Sequence, residues 1–461
     1  MRNPYTVGRW LRGADHYGRE QLLDYLIHAD DPAIWVVGTR RMGKTSLLRQ
    51  LEWLLTTKHE TGFVPLFWDL QGSESKEDFD YELFLAVEDE MPRFQAFGVD
   101  VSALYRRDAI EILRVLQRGL RQHRKQLLLL IDEAEAWISL AKNDYQALAR
   151  LRKAFQSGGM RTIMTSTKLL MQLNDLTRNW LTSPFLFGFS LVNLWSLEPE
   201  ASANLVLQEQ SNTPVSVEPE RIEEVLRHSH RHPYLIQTLC HRLFAERDGV
   251  GTLRAIREED LRADHLLSGF FEVDFKCLAP TERQILLTVA RQGIIDEEEL
   301  VSKIDNESLE QISMYVHGMN NLGYLQRVYG RPDARSAGAA GDDEGYAKMS
   351  PTDAMPDGQF GRWTVGNEFL RRWMLENYQE LAQTLYSDVS DYGAESLLEM
   401  GRKVELDYLQ HEISELRRRL DSLLAAHSSY GTEPPPELEQ EIQQLRGELE
   451  RAGAQLRNLA G

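Results

Sequence analysis

The chain has 461 residues and carries 52 lysines and arginines against 71 aspartates and glutamates, a net charge of −19 at neutral pH. About three domains are expected at this length, and 42% hydrophobic with 27% charged residues is an ordinary globular composition. The acidic balance weighs against a protein that coats nucleic acid without sequence preference, because that affinity comes from basic surface; no apolar run of about 18 residues suggests a membrane span, and two cysteines, Cys240 and Cys277, make no disulfide framework. A reducing, cytoplasmic setting is expected; MRNPYTVGRWLRG lacks a secretory apolar core.

In chain order, Ala33 to Val37 is a short apolar strand ending at Gly38, followed by a helix from Lys44 to about Leu55 with leucines at helical spacing. Phe63–Leu70 is a second strand. Leu127–Ile131, five consecutive branched apolar residues, has the composition of a central parallel strand covered on both faces. Arg161–Thr165 is a fourth strand and Phe185–Leu191 a fifth, with helices between them. The order is that of an α/β parallel sheet, assigned to residues 1–197. Residues 198–277 read as a helical lid, with helices at Glu198–Gln210, Pro219–Ser229 and Pro233–Glu246. Residues 278–380 read as a winged helix, with helices at Thr281–Gln292, Asp296–Ile304 and Ser308–Leu322 and wing strands at Tyr324–Tyr329 and Trp363–Val365. The Gly/Ala/Asp-rich segment 330–360 interrupts the wing and is expected to be disordered. In 395–461, Leu409, Ile413, Leu416, Leu420 and Leu423, and then Leu438, Ile442, Leu445 and Leu449, step at heptad spacing on either side of Pro434-Pro435-Pro436. An antiparallel α-helical coiled-coil hairpin is expected there.

Gly38-Thr39-Arg40-Arg41-Met42-Gly43-Lys44-Thr45 fits G-x-x-x-x-G-K-[ST] between a strand and a helix, as a phosphate loop requires. Glycines let backbone N–H groups face the phosphates. Lys44 would bridge the β- and γ-phosphates of ATP, and the Thr45 hydroxyl would hold Mg²⁺. Leu127 to Ile131 ends in Asp132-Glu133, a Walker B arrangement: Asp132 would reach Mg²⁺ and Glu133 would activate water as general base. Glu135 reads as a solvated helix start.

These residues and their neighbours resemble the P-loop NTPases of the AAA+ and STAND groups, in particular prokaryotic AAA-like ATPases near the STAND clade. Asn3-Pro4-Tyr5 with Tyr17-Gly18-Arg19-Glu20 resembles an N-terminal hhGRE box, which would put Gly18 and Arg19 beside adenine. Gly38 to Leu48 resembles the GxRRxGKTSLL form of Walker A, implying nucleotide contacts from Gly38, Met42, Gly43, Lys44, Thr45 and Ser46, with Arg40 and Arg41 as subunit or nucleotide contacts. Thr162 to Thr167 occupies the sensor-1 strand, giving Thr165 a place at the nucleotide. His232-Pro233-Tyr234-Leu235-Ile236-Gln237 resembles the lid's HPYLLQ stretch, which implicates His232 and Pro233. Trp363 and Phe369–Trp373 match the end of the family's winged helix. Two departures stand out: sensor 1 ends in Thr165-Ser166-Thr167 rather than arginine, and Arg231 stands where the lid motif has glycine. Arg178 lies in the region where AAA+ proteins place an arginine finger.

The resemblance implies an ATP-hydrolysing molecular switch that couples ATP/ADP and Mg²⁺ to protein partners or nucleotide-dependent homo-oligomerisation through the coiled coil. One alternative is an origin-recognition-like or loader ATPase binding DNA through the winged helix. Its recognition helix, Ser308–Asn321, has no lysine or arginine and carries Glu310, which disfavours DNA. A second is a non-hydrolysing nucleotide-bound scaffold.

Overall fold

Four apolar runs covered by helices, and a short half-exposed strand at one edge, pair into one parallel sheet. In the computed structural model, described for residues 3–57, 62–155, 159–178, 184–211, 214–247, 249–304, 307–328, 361–386, 394–429 and 436–460, the strands are β1 (Ala33–Val37), β2 (Phe63–Asp69), β3 (Gln126–Asp132), β4 (Met160–Ser166) and β5 (Ser190–Asn193). Their order is β2-β3-β4-β1-β5. Strand β4 therefore sits between the strand that feeds the phosphate loop and the strand that ends in Asp132, pairing with both in parallel. Every residue of β1 and β4 is buried, as expected of strands covered on two faces.

The helices beside this sheet are α1 (Glu20–His28), α2 (Lys44–Thr57), α3 (Lys76–Asp89), α4 (Ala109–Gln122), α5 (Trp137–Asn143) and α6 (Tyr145–Phe155); helices of six residues or fewer are left unlabelled. Helix α2 buries Leu47, Leu48, Leu51 and Leu55 against Ile34, Val36, Leu128 and Leu130. The other face is filled by Trp68, Phe79, Leu113, Leu116, Trp137 and Phe155. The expected strand Phe185–Leu191 is displaced to 190–193. Phe185 serves a turn instead, its ring buried between Trp137 at 5.3 Å and Phe189 at 5.9 Å. Its apolar character fills a core corner rather than a pleat.

After the sheet come α7 (Pro199–Leu207), α8 (Pro219–Ser229) and α9 (Pro233–Leu243), each opened by a proline at its first position. Helix α9 stops at Leu243, short of the expected Glu246. Residues 244–247 and 250–253 pair as an antiparallel hairpin, β6 and β7. Next are α10 (His265–Lys276), α11 (Pro280–Gln292), α12 (Glu297–Lys303) and α13 (Leu309–Asn321), with an antiparallel sheet β8-β10-β9 formed by Ile295–Asp296, Arg362–Val365 and Leu325–Val328. Trp363 of β10 is fully buried and donates from Nε1 to Glu297 Oε1 at 2.9 Å. Segment 330–360 lies outside the described residues. Helix α14 (Glu368–Glu376) closes this unit through Phe369, Trp373 and Met374.

Two long helices end the chain, α15 (Ala394–Ser429) and α16 (Pro436–Ala460). Ile413, Leu416, Leu445 and Ala452 are buried between them, with Leu420, Leu423 and Leu449 packed alongside. At its N-terminal half α15 lies on α10 and the main core rather than projecting away. Tyr408 and Leu409 pack with Leu266, and Leu397 joins the main core. No described helix is long and apolar enough to cross a membrane.

Candidate functional site

The site lies at the carboxyl ends of the parallel strands, where β1 delivers the phosphate loop and β3 delivers its acidic pair. Arg41 (φ 62°) and Gly43 (φ 92°) are both left-handed, which turns the loop around its own backbone N–H groups. A Cβ on Gly43 would meet nothing within 4 Å, so the loop presents an open concave face there. Lys44 is buried, and its ammonium donates to the carbonyls of Gly38 at 3.2 Å and Thr39 at 3.1 Å. This cation is tethered within the cradle by the loop itself.

Asp132, at the end of β3, is buried and accepts from the Thr165 hydroxyl of β4. Burial and then the neighbouring Glu133 charge raise its carboxyl, while hydrogen bonds from Thr165 and Thr45 and the Lys44 charge pull it back. Thr45 and Asp132 are thus neighbours across the loop, a hydroxyl and a carboxylate of the type Mg²⁺ accepts alongside phosphate oxygens. The residues fit a nucleoside triphosphate and its metal: Lys44 and the loop amides would hold phosphate, and Thr45 and Asp132 would hold Mg²⁺. Glu133 follows in a left-handed conformation (φ 53°), with its backbone N–H donating to Asp132 Oδ1 at 3.1 Å.

Glu135 is not solvated. It is 1% exposed, and its Oε1 accepts from the Thr167 backbone at 3.1 Å and the Thr167 hydroxyl at 2.8 Å. Burial and then the Glu133 charge push its carboxyl up to about 7, with Lys44 and Arg40 opposing. It ties the segment after β3 to the end of β4, a role invisible in a pattern that only marked a helix start. Asp69, which sequence reasoning did not single out, ends β2 in register with Asp132. Crowding by surrounding atoms and then the charge of Asp132 raise it to about 7 even though the residue keeps an exposed surface. Four carboxylates therefore converge here, answered by Lys44 and Arg40 and, at Asp69, by Arg49.

The N-terminal segment and the start of α7 meet behind the loop. Gly18 has φ 73°, and a Cβ there would lie 2.7 Å from Ala201 Cβ of α7, so only glycine permits this approach. Arg19 is buried and donates to the carbonyls of Ser196 at 3.1 Å and of Trp195. Burial lowers its guanidinium to about 10, with Glu198 opposing. Arg19 thus pins the connection between β5 and α7. Ser46, expected at the nucleotide, accepts through its hydroxyl from the Leu11 backbone at 3.0 Å, which anchors the N-terminal strap. His232 caps α9 ahead of Pro233. Its Nδ1 is buried with no hydrogen-bond partner, and burial, then the Arg19 and His230 charges, lowers it to about 3. It is a neutral imidazole facing a cavity of about 40 Å³ that Thr39, Arg40, Asp274, Tyr324 and Asn367 also line. His230 and Arg231 are both left-handed (φ 49° and 56°), which explains why a related lid would place glycine at the second position.

Arg40 and Arg41, expected as subunit or nucleotide contacts, make contacts within the chain. Arg40 Nε lies 4.0 Å from Asp274 Oδ1 of α10. Arg41 donates to the Gly8 carbonyl at 3.1 Å and lies over the rings of Phe270 at 4.5 Å and Tyr408 at 4.9 Å. Met42 is buried in the core beside α2 and approaches Gly323 of the α13–β9 turn. Arg178 is exposed, just before residues 179–183, which are outside the described set.

Residues 27–173 match the family model of an AAA domain. No curated protein matches the chain. Among solved structures, the Walker-type ATPase PABY2304 of Pyrococcus abyssi is 15% identical, with a TM-score of 0.51, covering 80% of this chain and 99% of that one. The ORC2 protein of Aeropyrum pernix, solved in ADPNP–ADP complexes, is 13% identical with a TM-score of 0.45, covering 83% and 98%. Cdc6p of Pyrobaculum aerophilum is 14% identical with a TM-score of 0.34, covering 83% and 97%.

Proposed function

With a P-loop AAA+ ATPase core as its premise, we propose that this protein is an ATP-hydrolysing, STAND-like molecular switch whose nucleotide state governs contacts with protein partners or with further copies of itself. One observation carries the reading: Lys44, Thr45, Asp132, Glu133 and Thr165 come from three adjacent strand ends and meet at one cradle, with Thr165 and Thr45 both hydrogen-bonded to Asp132. When bound, Mg²⁺ neutralises charge developing on the phosphates. Lys44 holds the β- and γ-phosphates, Thr165 fixes Asp132, and Glu133 takes the proton of the attacking water. His232, Asp274 and the Gly323 turn face Thr39, Arg40 and Arg41 of the loop across one cavity, so α9, α10 and the β8–β10 unit abut the same loop.

In this reading residues 1–197 are the ATPase, 198–277 the lid, 278–380 a winged helix and 395–461 a coiled-coil hairpin, acting in the cytoplasm. The hairpin seam is already satisfied within the chain by Ile413, Leu416 and Leu445, so partners would meet its outer faces. Helix α13 offers Glu310 and an exposed Met314 but no lysine or arginine, which keeps DNA binding the lesser alternative. Two measurements test the switch. Glu133→Gln protein should bind ATP without turning it over; phosphate release at the wild-type rate removes Glu133 from its role. Its molar mass should differ between ATP and ADP; equal masses count against nucleotide-driven assembly.

A further inference from the structure

Residues 3–12 form neither helix nor strand, so this strap keeps its place only through what it touches. One end is tied to the helices after the sheet. The Thr6 N–H donates to Gln237 Oε1 at 3.2 Å and Asn3 Nδ2 to the His241 carbonyl at 3.1 Å, both on α9, while the Tyr5 hydroxyl donates to the Val206 carbonyl of α7. The other end is tied to α2: the Leu11 N–H donates to the Ser46 hydroxyl at 3.0 Å, and the Gly13 N–H to Gln50 Oε1 at 2.6 Å. Between these anchors the hairpin takes hold. The Tyr408 hydroxyl of α15 donates to the Val7 carbonyl at 2.7 Å. Arg9 pairs with Glu412 of α15 at 2.7 Å and with Glu448 of α16 at 3.4 Å, so both hairpin helices grip one residue. The Glu448 side chain is only 4% exposed, which shields the pair from the screening that weakens surface ion pairs. Gly8 (φ 86°) makes the fit possible, since a Cβ there would lie 1.3 Å from the Tyr408 hydroxyl oxygen.

The strap also reaches the phosphate loop. The Gly8 carbonyl accepts from Arg41 at 3.1 Å, and the Arg41 guanidinium lies 4.9 Å from the Tyr408 ring. Helix α2 starts at Lys44 within the loop, and α9 starts beside His232, which faces Thr39, Arg40 and Arg41 across the cavity. The strap therefore bridges the two helices that flank the loop. Separation of the elements around a bound ligand commonly limits its release, and a bridge fastened to both resists that separation. Resting on the reading of the cradle as a nucleotide site, we propose that the strap is a clasp across α9 and α2, latched by the hairpin through Tyr408 and Arg9, and that the latch slows nucleotide exchange. A hairpin drawn away from the strap frees the clasp and lets bound ADP leave faster, with no hairpin residue touching the nucleotide.

Release of ADP carrying a fluorescent methylanthraniloyl group, chased with unlabelled ATP, tests this in the full chain. Arg9→Ala should speed release about fivefold. Tyr408→Phe, which removes only the hydroxyl, should speed it about threefold, and the double variant more than either. Glu412→Gln should speed release in the wild-type background and add nothing once Arg9 is alanine. Hydrogen exchange separates the clasp from general destabilisation: in Arg9→Ala the amides of α9 should exchange faster, while those of β1, β3 and β4 stay as protected as in wild type. Wild-type release in the double variant, an equal effect of Glu412→Gln with and without Arg9, or faster exchange spread evenly over the sheet overturns the proposal. Should Arg9→Ala fail to fold, Tyr408→Phe decides on the same two readings. A wild-type chain that binds no ADP defeats the nucleotide reading itself. Hydrogen exchange of α9 then decides the clasp alone, faster exchange supporting it and an unchanged rate overturning it.

Discussion

The cradle end of the sheet and the contact face of α15 are built by opposite means. At the cradle, Lys44, Thr45, Asp132, Glu133 and Thr165 are delivered by strand ends in a fixed parallel register, so a short motif on each strand suffices to place them. On α15, Tyr408 meets Val7 and Glu412 meets Arg9, partners about 400 residues away in the chain. The first arrangement concentrates charge, with four carboxylates answered by Lys44, Arg40 and Arg49. The second spreads its energy over ion pairs, cation–π contacts and apolar packing, each worth about 1 kcal/mol or less where exposed. Changes at the cradle should therefore act on chemistry with little effect on folding, whereas changes on the hairpin should act on stability first.

The sharpest test of that division is Glu133→Gln. Loss of a general base should cut turnover by about a hundredfold or more, with the unfolding midpoint and ATP affinity near those of wild type. A large drop in melting temperature would show that Glu133 is a structural member of the carboxylate cluster. On the hairpin, Leu445 is fully buried, and Leu445→Ala should cost about 2–5 kcal/mol of local stability. Hydrogen exchange should rise along α15 and α16 while the sheet amides remain protected; uniform loosening would mean that hairpin and core unfold as one unit. Gly18→Ala probes the ground between the two regions. It forces a methyl 2.7 Å from Ala201 Cβ in a left-handed backbone and should cost about 1–3 kcal/mol, read by denaturant unfolding.

A further test concerns pH. His232 is pushed down to about 3 in the fold, below the roughly 6.5 of an unfolded histidine. Between those values the unfolded chain binds the extra proton, so the histidine's contribution is full above about pH 6.5 and is lost as pH falls. His232→Asn should flatten stability against pH between about 4 and 6 by up to one proton, or about 1.4 kcal/mol per pH unit. An unchanged slope would show that the imidazole is solvated.

Much of the cradle was legible in sequence because its signals are local. Gly38–Thr45 carries its own turn chemistry, and Leu127–Ile131 shows its double burial in composition alone. Other features escaped for stated reasons. Phe185 looks like a strand residue, but an aromatic core corner claimed it. Glu135 looks like a solvated helix start, since nothing near it in the chain announces the hydroxyl and amide of Thr167. Asp69 closes β2 as one acidic residue among 71, and only its register with Asp132 makes it notable. The hairpin seam was read from heptads, but its use was not: part of α15 serves to grip α10 and the strap.

The amino-acid sequence by itself determined the parallel α/β layers, the phosphate loop and the acidic strand end, because backbone periodicity and glycine placement act over a few residues. The tertiary structure alone decided which cations face which carboxylates: Lys44 toward Asp132 and Glu135, and Arg40 toward Glu133, Asp274 and Glu405. A net charge of −19 is the sum of the residues and says nothing of their pairing. Coulomb interactions depend on distance and burial, and the fold sets both.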